Sequence, residues 1–341
     1  MTSEKQTGAA RRQPTFYSKL SRFERVTLSG IGGLVAVGLL VAAAYPPEGG
    51  TSAPRAAYDL DSVLRLEPVP TVTVSVASLK APSAADGLSV DEVSQTLAYD
   101  LDRIAAGEGS VPRVFLTSMP HDLADVPEVS FKKSVFFKSV LPLVLQVNEN
   151  ILHDRERLKG IAKQAKQGQT ISAEDRLWIA MMSKRYKTER GDYETLLRRV
   201  DIIPPSLALA QAAKESGWGT SRFAQLGNAL FGQWTWSEED GIKPKNREEG
   251  ADHLVREFDT LLDSVEAYML NLNRHNAYRE LRSLRAGMRK RGESLDGEKL
   301  AEGLKRYSEL GMEYVERIRS MISYNQLLAL DDAELAAAND A

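Results

Sequence analysis

Glu215 is the residue in this chain best suited to chemistry. It closes the run Ser206–Ser216, where Leu207, Ala208, Leu209, Ala210, Ala212 and Ala213 leave little polar surface. A run that is apolar on nearly all sides belongs inside a core. An unpaired charge there is costly, and a carboxyl responds by raising its pKa and keeping its proton. A protonated carboxyl near neutral pH can act as a general acid, for example toward a glycosidic oxygen. The structural alternative is a carboxylate paired with Lys214, Arg222 or a backbone N–H. Gly217-Trp218-Gly219 follows directly, and Asn228-Ala-Leu-Phe-Gly-Gln-Trp234 comes soon after, with Trp236 beyond it. Three of the four tryptophans thus fall within nineteen residues. Aromatic faces of this kind pack on the apolar faces of pyranose rings, and the amides of Asn228 and Gln233 suit sugar hydroxyls and acetamido groups. For Phe231 the competing assignment is the core.

Other chemistries find little support. The chain has no cysteine, which excludes thiolate catalysis, disulfides and cysteine-based metal sites. His121, His153, His253 and His275 lack metal-ligand spacing. Lys214-Glu-Ser-Gly-Trp218 is not a nucleophile elbow, and no glycine-rich phosphate loop is present. A net charge of −3 over 341 residues argues against nucleic acid as a partner. Neither a metal nor an organic cofactor is expected.

The elements that must position Glu215 begin with a topology signal. Residues 1–25 carry a net charge of +4, so the rest of the chain sums to −7. The following segment, 26–45, has no charged residue and is long enough as a helix to span about 30 Å of hydrocarbon. Basic residues on its N-terminal side predict a cytoplasmic tail and an exported remainder. A cleaved signal peptide ending near Ala42, Ala43 and Ala44 is the rival reading. Residues 46–88 are rich in proline and read as a linker.

Ser89-Val-Asp-Glu92 is a capping box opening an amphipathic stretch to about Ala106. Val111–Leu116 reads as extended. Residues 131–166 follow a helical pattern that Pro142 should kink or divide, and Ser172–Tyr186 and 192–200 are further helices. Pro204 and Pro205 suit a first helical turn, Gly217 and Gly219 a reversal. A short helix is expected around Ser221–Gln225, then loops and a small hairpin over 233–258. Helices resume at Asp263–Leu272, 276–287, 294–307 and 311–328. The basic run Arg282–Arg291 reads as a solvated helix end, and 331–341 as a flexible tail that frays.

The stretch from Ile203 to Ala224, together with Asn228–Trp234, resembles the bacterial glucosaminidases of glycoside hydrolase family 73, most closely the Bax-type subgroup. The resemblance extends through Phe258–Tyr268 and Asn271–Tyr278, and upstream to Val111–Leu116 and Phe136–Pro142, so it covers roughly residues 90–325. It implies a mainly α, lysozyme-like fold: an α-lobe, a small β-lobe and a cleft, here preceded by one transmembrane helix. The glucosaminidase domain would span 89–330, with an N-terminal helical part (89–200), a catalytic core (201–285) and C-terminal helices (286–330).

The implied reaction is hydrolysis of the β-1,4 bond after N-acetylglucosamine in peptidoglycan glycan strands. Glu215 matches the general acid and Tyr278 a cleft tyrosine. Trp218, Asn228, Phe231, Gln233, Trp234 and Tyr268 are the further candidate sugar contacts. A second carboxylate would lie about 6.5–9.5 Å from the acid in an inverting enzyme, or about 5–5.5 Å in a retaining one. The family places it in the β-lobe, where Glu238, Glu239, Asp240, Glu248, Glu249 and Asp252 are available. Glu249 is favoured and Glu248 next. Alternatively the substrate's own acetamido oxygen is the nucleophile. Ala229 departs from the family's Asn-Asn-Leu-Phe-Gly pattern and weakens any role at that position.

Two rivals remain: a lytic transglycosylase using the same acid, and a non-catalytic peptidoglycan-binding or scaffold protein. In each case the expected location is the inner membrane, single-pass, with the domain outside the cytoplasm and envelope proteins as possible partners.

Overall fold

The computed structural model describes residues 87–235, 241–243 and 254–337. The predicted anchor, nearly all of the linker, Trp236 and the candidate carboxylates Glu238, Glu239, Asp240, Glu248, Glu249 and Asp252 lie outside the described residues.

Helices dominate. Ser89 and Glu92 form the expected capping box, but the stretch it opens is two helices, α1 (Val90–Thr96) and α2 (Leu101–Ala105). The Asp100 side chain restarts the helix by accepting from the N–H groups of Asp102 and Arg103. Next comes α3 (Val129–Lys166), 38 residues that continue through Pro142 without a break. Proline has no N–H to give the carbonyl four residues back, and that carbonyl, Lys138 O, instead accepts from the Tyr99 hydroxyl at 3.1 Å. By length and composition α3 could cross a membrane, yet 78% of its most apolar window is buried inside the protein. Its apolarity serves the core.

Helices α4 (Ala173–Tyr186) and α5 (Tyr193–Arg199) are capped by Ser172 and Asp192. They lead to α6 (Pro205–Ser216), where every side chain from Pro205 to Ala213 is buried. Around α6 pack α3, α10 (Gly297–Leu300), α11 (Met312–Tyr324) and the 3-10 turn Leu327–Leu330. Helix α7 (Arg222–Gly227) precedes a three-stranded antiparallel sheet, β1 (Trp234–Thr235), β2 (Gly241–Ile242) and β3 (Leu254–Arg256), in the order β1-β3-β2. The capping box of Thr260 and Asp263 opens α8 (Leu261–Arg274), and α9 (Arg279–Arg291) follows.

Two further expectations are corrected. The basic run Arg282–Arg291 is not simply a solvated helix end, because Arg282 and Arg285 are buried. They lie on the inner face of α9 and satisfy carbonyls that the core would otherwise strand. Arg282 donates to Leu272 O and His275 O, and Arg285 to Asp201 O, Ile202 O and Arg198 O. Nor does the C-terminal segment fray over 331–337. Asp331 accepts from Ser206 N at 2.7 Å and Ser206 Oγ at 2.8 Å, so it caps α6 from a distance of 125 residues in sequence. Burial pushes its carboxyl up to about 6 against these bonds. Farther on, Leu335 bridges Val111, and Ala336 O accepts from Arg113 Nε at 2.6 Å.

The segment entering α6 is held from several sides. Asn148 of α3 clamps Ile203, donating to its carbonyl at 2.8 Å and accepting from its N–H at 3.2 Å. The buried Asp201 carboxylate meets Arg289 at 3.0 Å, Arg155 at 3.5 Å and Arg285 at 3.8 Å. Burial pushes this carboxyl up, but the arginines outweigh it and hold it below the usual carboxylate range. The stability it contributes is therefore present above the ordinary aspartate pKa and lost as pH falls through the depressed one. Asp201→Ala should destabilise the fold by about 3–5 kcal/mol, since it leaves buried guanidinium groups unpaired. Urea denaturation checks this, and a loss under about 1 kcal/mol would contradict it.

Candidate functional site

Glu215 sits in the last turn of α6, where the helix first reaches partial exposure. Its carboxyl does not pair with the candidates the sequence offered. Glu215 Oε1 accepts from the Tyr314 hydroxyl of α11 at 2.8 Å. The Tyr314 hydroxyl in turn accepts from Gln211 Nε2 at 2.8 Å, and Gln211 Oε1 accepts from the Tyr268 hydroxyl of α8 at 2.7 Å. Gln211 and Glu215 are four residues apart and so share a helix face. The result is a buried chain, Tyr268–Gln211–Tyr314–Glu215, linking three helices.

Desolvation raises the pKa of Glu215, while the bond from Tyr314 and the charge of Lys214 lower it by less. The tyrosines around it are held neutral. Burial raises Tyr268, Tyr278, Tyr307 and Tyr314 first, and the Glu215 charge adds to each. Tyr307 stacks on Tyr314 with ring centres 5.3 Å apart, and Tyr278 tilts against Tyr307 at 6.0 Å. The carboxyl thus has one firm hydrogen-bond partner inside an aromatic wall, which can hold a proton and present it to a ligand.

After α6 the chain reverses. Gly217, Trp218 and Gly219 all have positive φ. Gly219, at φ 76°, sits in the left-handed region that favours glycine, and a Cβ there would crowd Met119 Cε and the Phe136 ring. Ser216 Oγ accepts from Gly219 N at 2.8 Å, and Gln225 Nε2 donates to Gly219 O at 2.7 Å. Trp218 packs edge-on against Phe136 and Phe137 of α3, half-buried, with its ring 4.8 Å below the Lys133 ammonium.

The remaining predicted contacts separate into groups. Phe231 and Tyr268 stack at 3.8 Å, and both are buried. As candidate sugar contacts they have almost no surface to offer in this structure. Tyr278 is also largely enclosed. Asn228 has a left-handed backbone and its Nδ2 donates to Phe258 O and Asp259 O, so its amide ties α7 to the start of α8. Gln233 is half-buried, and its Oε1 has no hydrogen-bond partner among the described residues. Trp234, on β1, is 60% exposed. Among the described residues no cluster of histidine and acidic side chains could hold a metal.

Sequence reasoning missed Gln211, Tyr307 and Tyr314. The spacing of Gln211 to Glu215 was an available signal. Tyr307 and Tyr314 gave none, because a tyrosine on the inner side of an amphipathic helix reads as core.

The comparisons bear on this arrangement. The sequence profile of the glucosaminidase family, described as mannosyl-glycoprotein endo-beta-N-acetylglucosaminidase, matches residues 190–327, which span α6 through α11 and so include Glu215, Gln211, Tyr268 and Tyr314. No solved structure matches the chain. Protein bax of Escherichia coli (strain K12) is 37% identical over 221 residues, covering 62% of this chain and 76% of that protein. On this likeness, and with the profile covering the α6 site, the chain belongs to the Bax-type proteins that carry a glucosaminidase domain.

Proposed function

We propose that this protein is an endo-β-N-acetylglucosaminidase that hydrolyses β-1,4 bonds in peptidoglycan glycan strands, with Glu215 as the general acid. One observation carries the proposal: a half-buried carboxyl with its pKa raised by desolvation, anchored through Oε1 to Tyr314 at 2.8 Å. Such a group keeps its proton to higher pH than an ordinary glutamate and gives it to the leaving oxygen as the bond breaks. The family name supports the bond class. In this proposal the domain is lysozyme-like, with the small sheet facing the helices across a cleft and Trp234 and Gln233 at its edge. Glu249, or Glu248 next to it, activates the water. The segment 26–45 anchors the protein in the inner membrane, with the domain outside the cytoplasm.

The test is to incubate the full-length chain in detergent with peptidoglycan and analyse the fragments by mass spectrometry. Reducing-end N-acetylglucosamine is expected. Reducing-end N-acetylmuramic acid, or its anhydro form, would replace the bond assignment with a muramidase or transglycosylase reaction. Absence of fragments would leave a binding protein.

Glu215→Gln should lower turnover by about 10²–10⁴-fold with the fold retained. Glu249→Gln should also lower it strongly. If Glu249→Gln and Glu248→Gln both cleave at the normal rate, the role passes to another β-lobe carboxylate or to the acetamido oxygen of the substrate.

Tyr314→Phe gives a signed prediction. Tyr314 donates to the carboxyl and stabilises its charged form, so its removal raises the Glu215 pKa further. The acid must be protonated, and activity falls as pH rises through its pKa. The alkaline limb of the kcat/KM profile should therefore move to higher pH. A limb that stays in place, or moves down, would show that Tyr314 does not set the acid's proton affinity.

A further inference from the structure

A groove of about 670 Å³ opens beside the C-terminal end of α6. It is lined by Lys214 and Trp218 from that end, by Lys133 of α3, and by Arg317, Met321 and Tyr324 of α11. Lys133 Nζ lies 4.8 Å from the centre of the Trp218 ring and 4.8 Å from that of Tyr324, and it donates to Asn325 Oδ1 at 3.0 Å. Two rings and one amide thus hold the ammonium in place without neutralising it. The carboxylates at the border are already paired: Glu313 with Arg317 at 2.5 Å, and Glu316 with Arg319 at 2.8 Å. Among the described residues neither Lys133 nor Lys214 forms an ion pair, so the groove holds two cations with no matching anion. Tyr324 presents its ring to solvent at 80% exposure.

This chemistry differs from that at Glu215. Neutral sugar rings need stacking faces and amides, and gain nothing from two unpaired ammonium groups. A peptide with free carboxylates needs both cations, and its amide planes lie well on exposed aromatic rings. Lys214 immediately precedes Glu215 at the end of α6, and its charge acts on that carboxyl, so the groove borders the helix end that carries the Glu215 site.

We propose that the groove receives the acidic peptide substituents of the glycan strand, with Lys133 and Lys214 meeting peptide carboxylates and Tyr324 flanking the peptide. The proposal rests on the glycan-strand reading of the Glu215 site. It assigns the enzyme a preference for strands that carry peptides over strands stripped of them.

Equilibrium binding provides the test. Soluble strand fragments, with peptides or with the peptides removed, are titrated against the full-length chain carrying Glu215→Gln, alone or combined with Lys133→Glu or Tyr324→Ala. Fragments with peptides should bind more tightly than stripped ones. Lys133→Glu should weaken binding of the peptide-bearing fragments by at least about three- to five-fold, the scale of an exposed ion pair with repulsion added, and Tyr324→Ala should weaken it in the same direction. Binding of the stripped fragments should not change. Equal affinity for the two fragment types would overturn the proposal, as would an equal loss on both, which would assign the groove to the sugar backbone. The glycosidase reading fails separately: the wild-type chain would then release no fragments from either strand type, whatever the binding constants.

Discussion

The burial of α6 sets the terms for everything around it. A helix enclosed through most of its length has no water at its N-terminal N–H groups, and these must be satisfied by protein or removed. Pro204 and Pro205 remove two, and Asp331 takes the donor of Ser206 from the far end of the chain. The approach to the helix is equally constrained. Asn148 closes on Ile203, while Asn273 and Arg285 take the carbonyl of Asp201. Helices α3, α8 and α9 therefore contribute to where α6 begins. A rigid twelve-residue helix carries that placement to Glu215 at its other end.

The same burial raises the proton affinity of Glu215. Three influences act on the Glu215 carboxyl, and they oppose each other: desolvation raises its pKa, and the Tyr314 hydrogen bond and the Lys214 charge lower it. Desolvation is the largest, so the balance favours the protonated form. The wall of tyrosines excludes water without supplying a second strong donor to the carboxyl. An arginine in the position of Tyr314 would give the opposite result, as Asp201 shows a short distance along the chain. That carboxyl is more deeply buried, yet arginines pull it below the usual range. Two carboxylates at the two ends of one helix thus have opposite proton affinities because of what was placed beside them.

The part of this architecture legible in the sequence is the part that depends on local rules. Capping residues Ser89 and Ser172 start helices where the pattern predicts them. The apolar run of α6, its prolines and the glycines after it marked a core helix ending in a reversal, and Glu215 stood out against it. What the sequence did not reveal depends on contacts between distant residues. Pro142 was expected to disturb α3, and nothing local indicates that Tyr99 satisfies the carbonyl the proline leaves free. Arg282 and Arg285 of α9 read as solvated because charge is usually outside. They are inside because the ends of α5 and α8, and the segment after α5, leave carbonyls that only long donors can reach. Phe231 and Tyr268 carry the family motif but face inward, and a motif does not say which side of the chain meets the ligand.

The direction of the hydrogen-bond chain adds a last constraint on the acid. A tyrosine hydroxyl has a single proton to donate. At Tyr268 that proton goes to Gln211 Oε1, which turns Gln211 Nε2 toward Tyr314 as a donor. The Tyr314 oxygen is then already accepting, and its own proton points at Glu215 Oε1. With Oε1 occupied as an acceptor, the proton of the neutral carboxyl is left to Oε2, the oxygen not engaged by Tyr314. The buried glutamine therefore does more than fill space. By fixing the order of donors and acceptors it holds the carboxyl proton on one oxygen, so that in the proposed reaction protonating a leaving group at Oε2 need not break the bond that anchors Glu215 at Oε1.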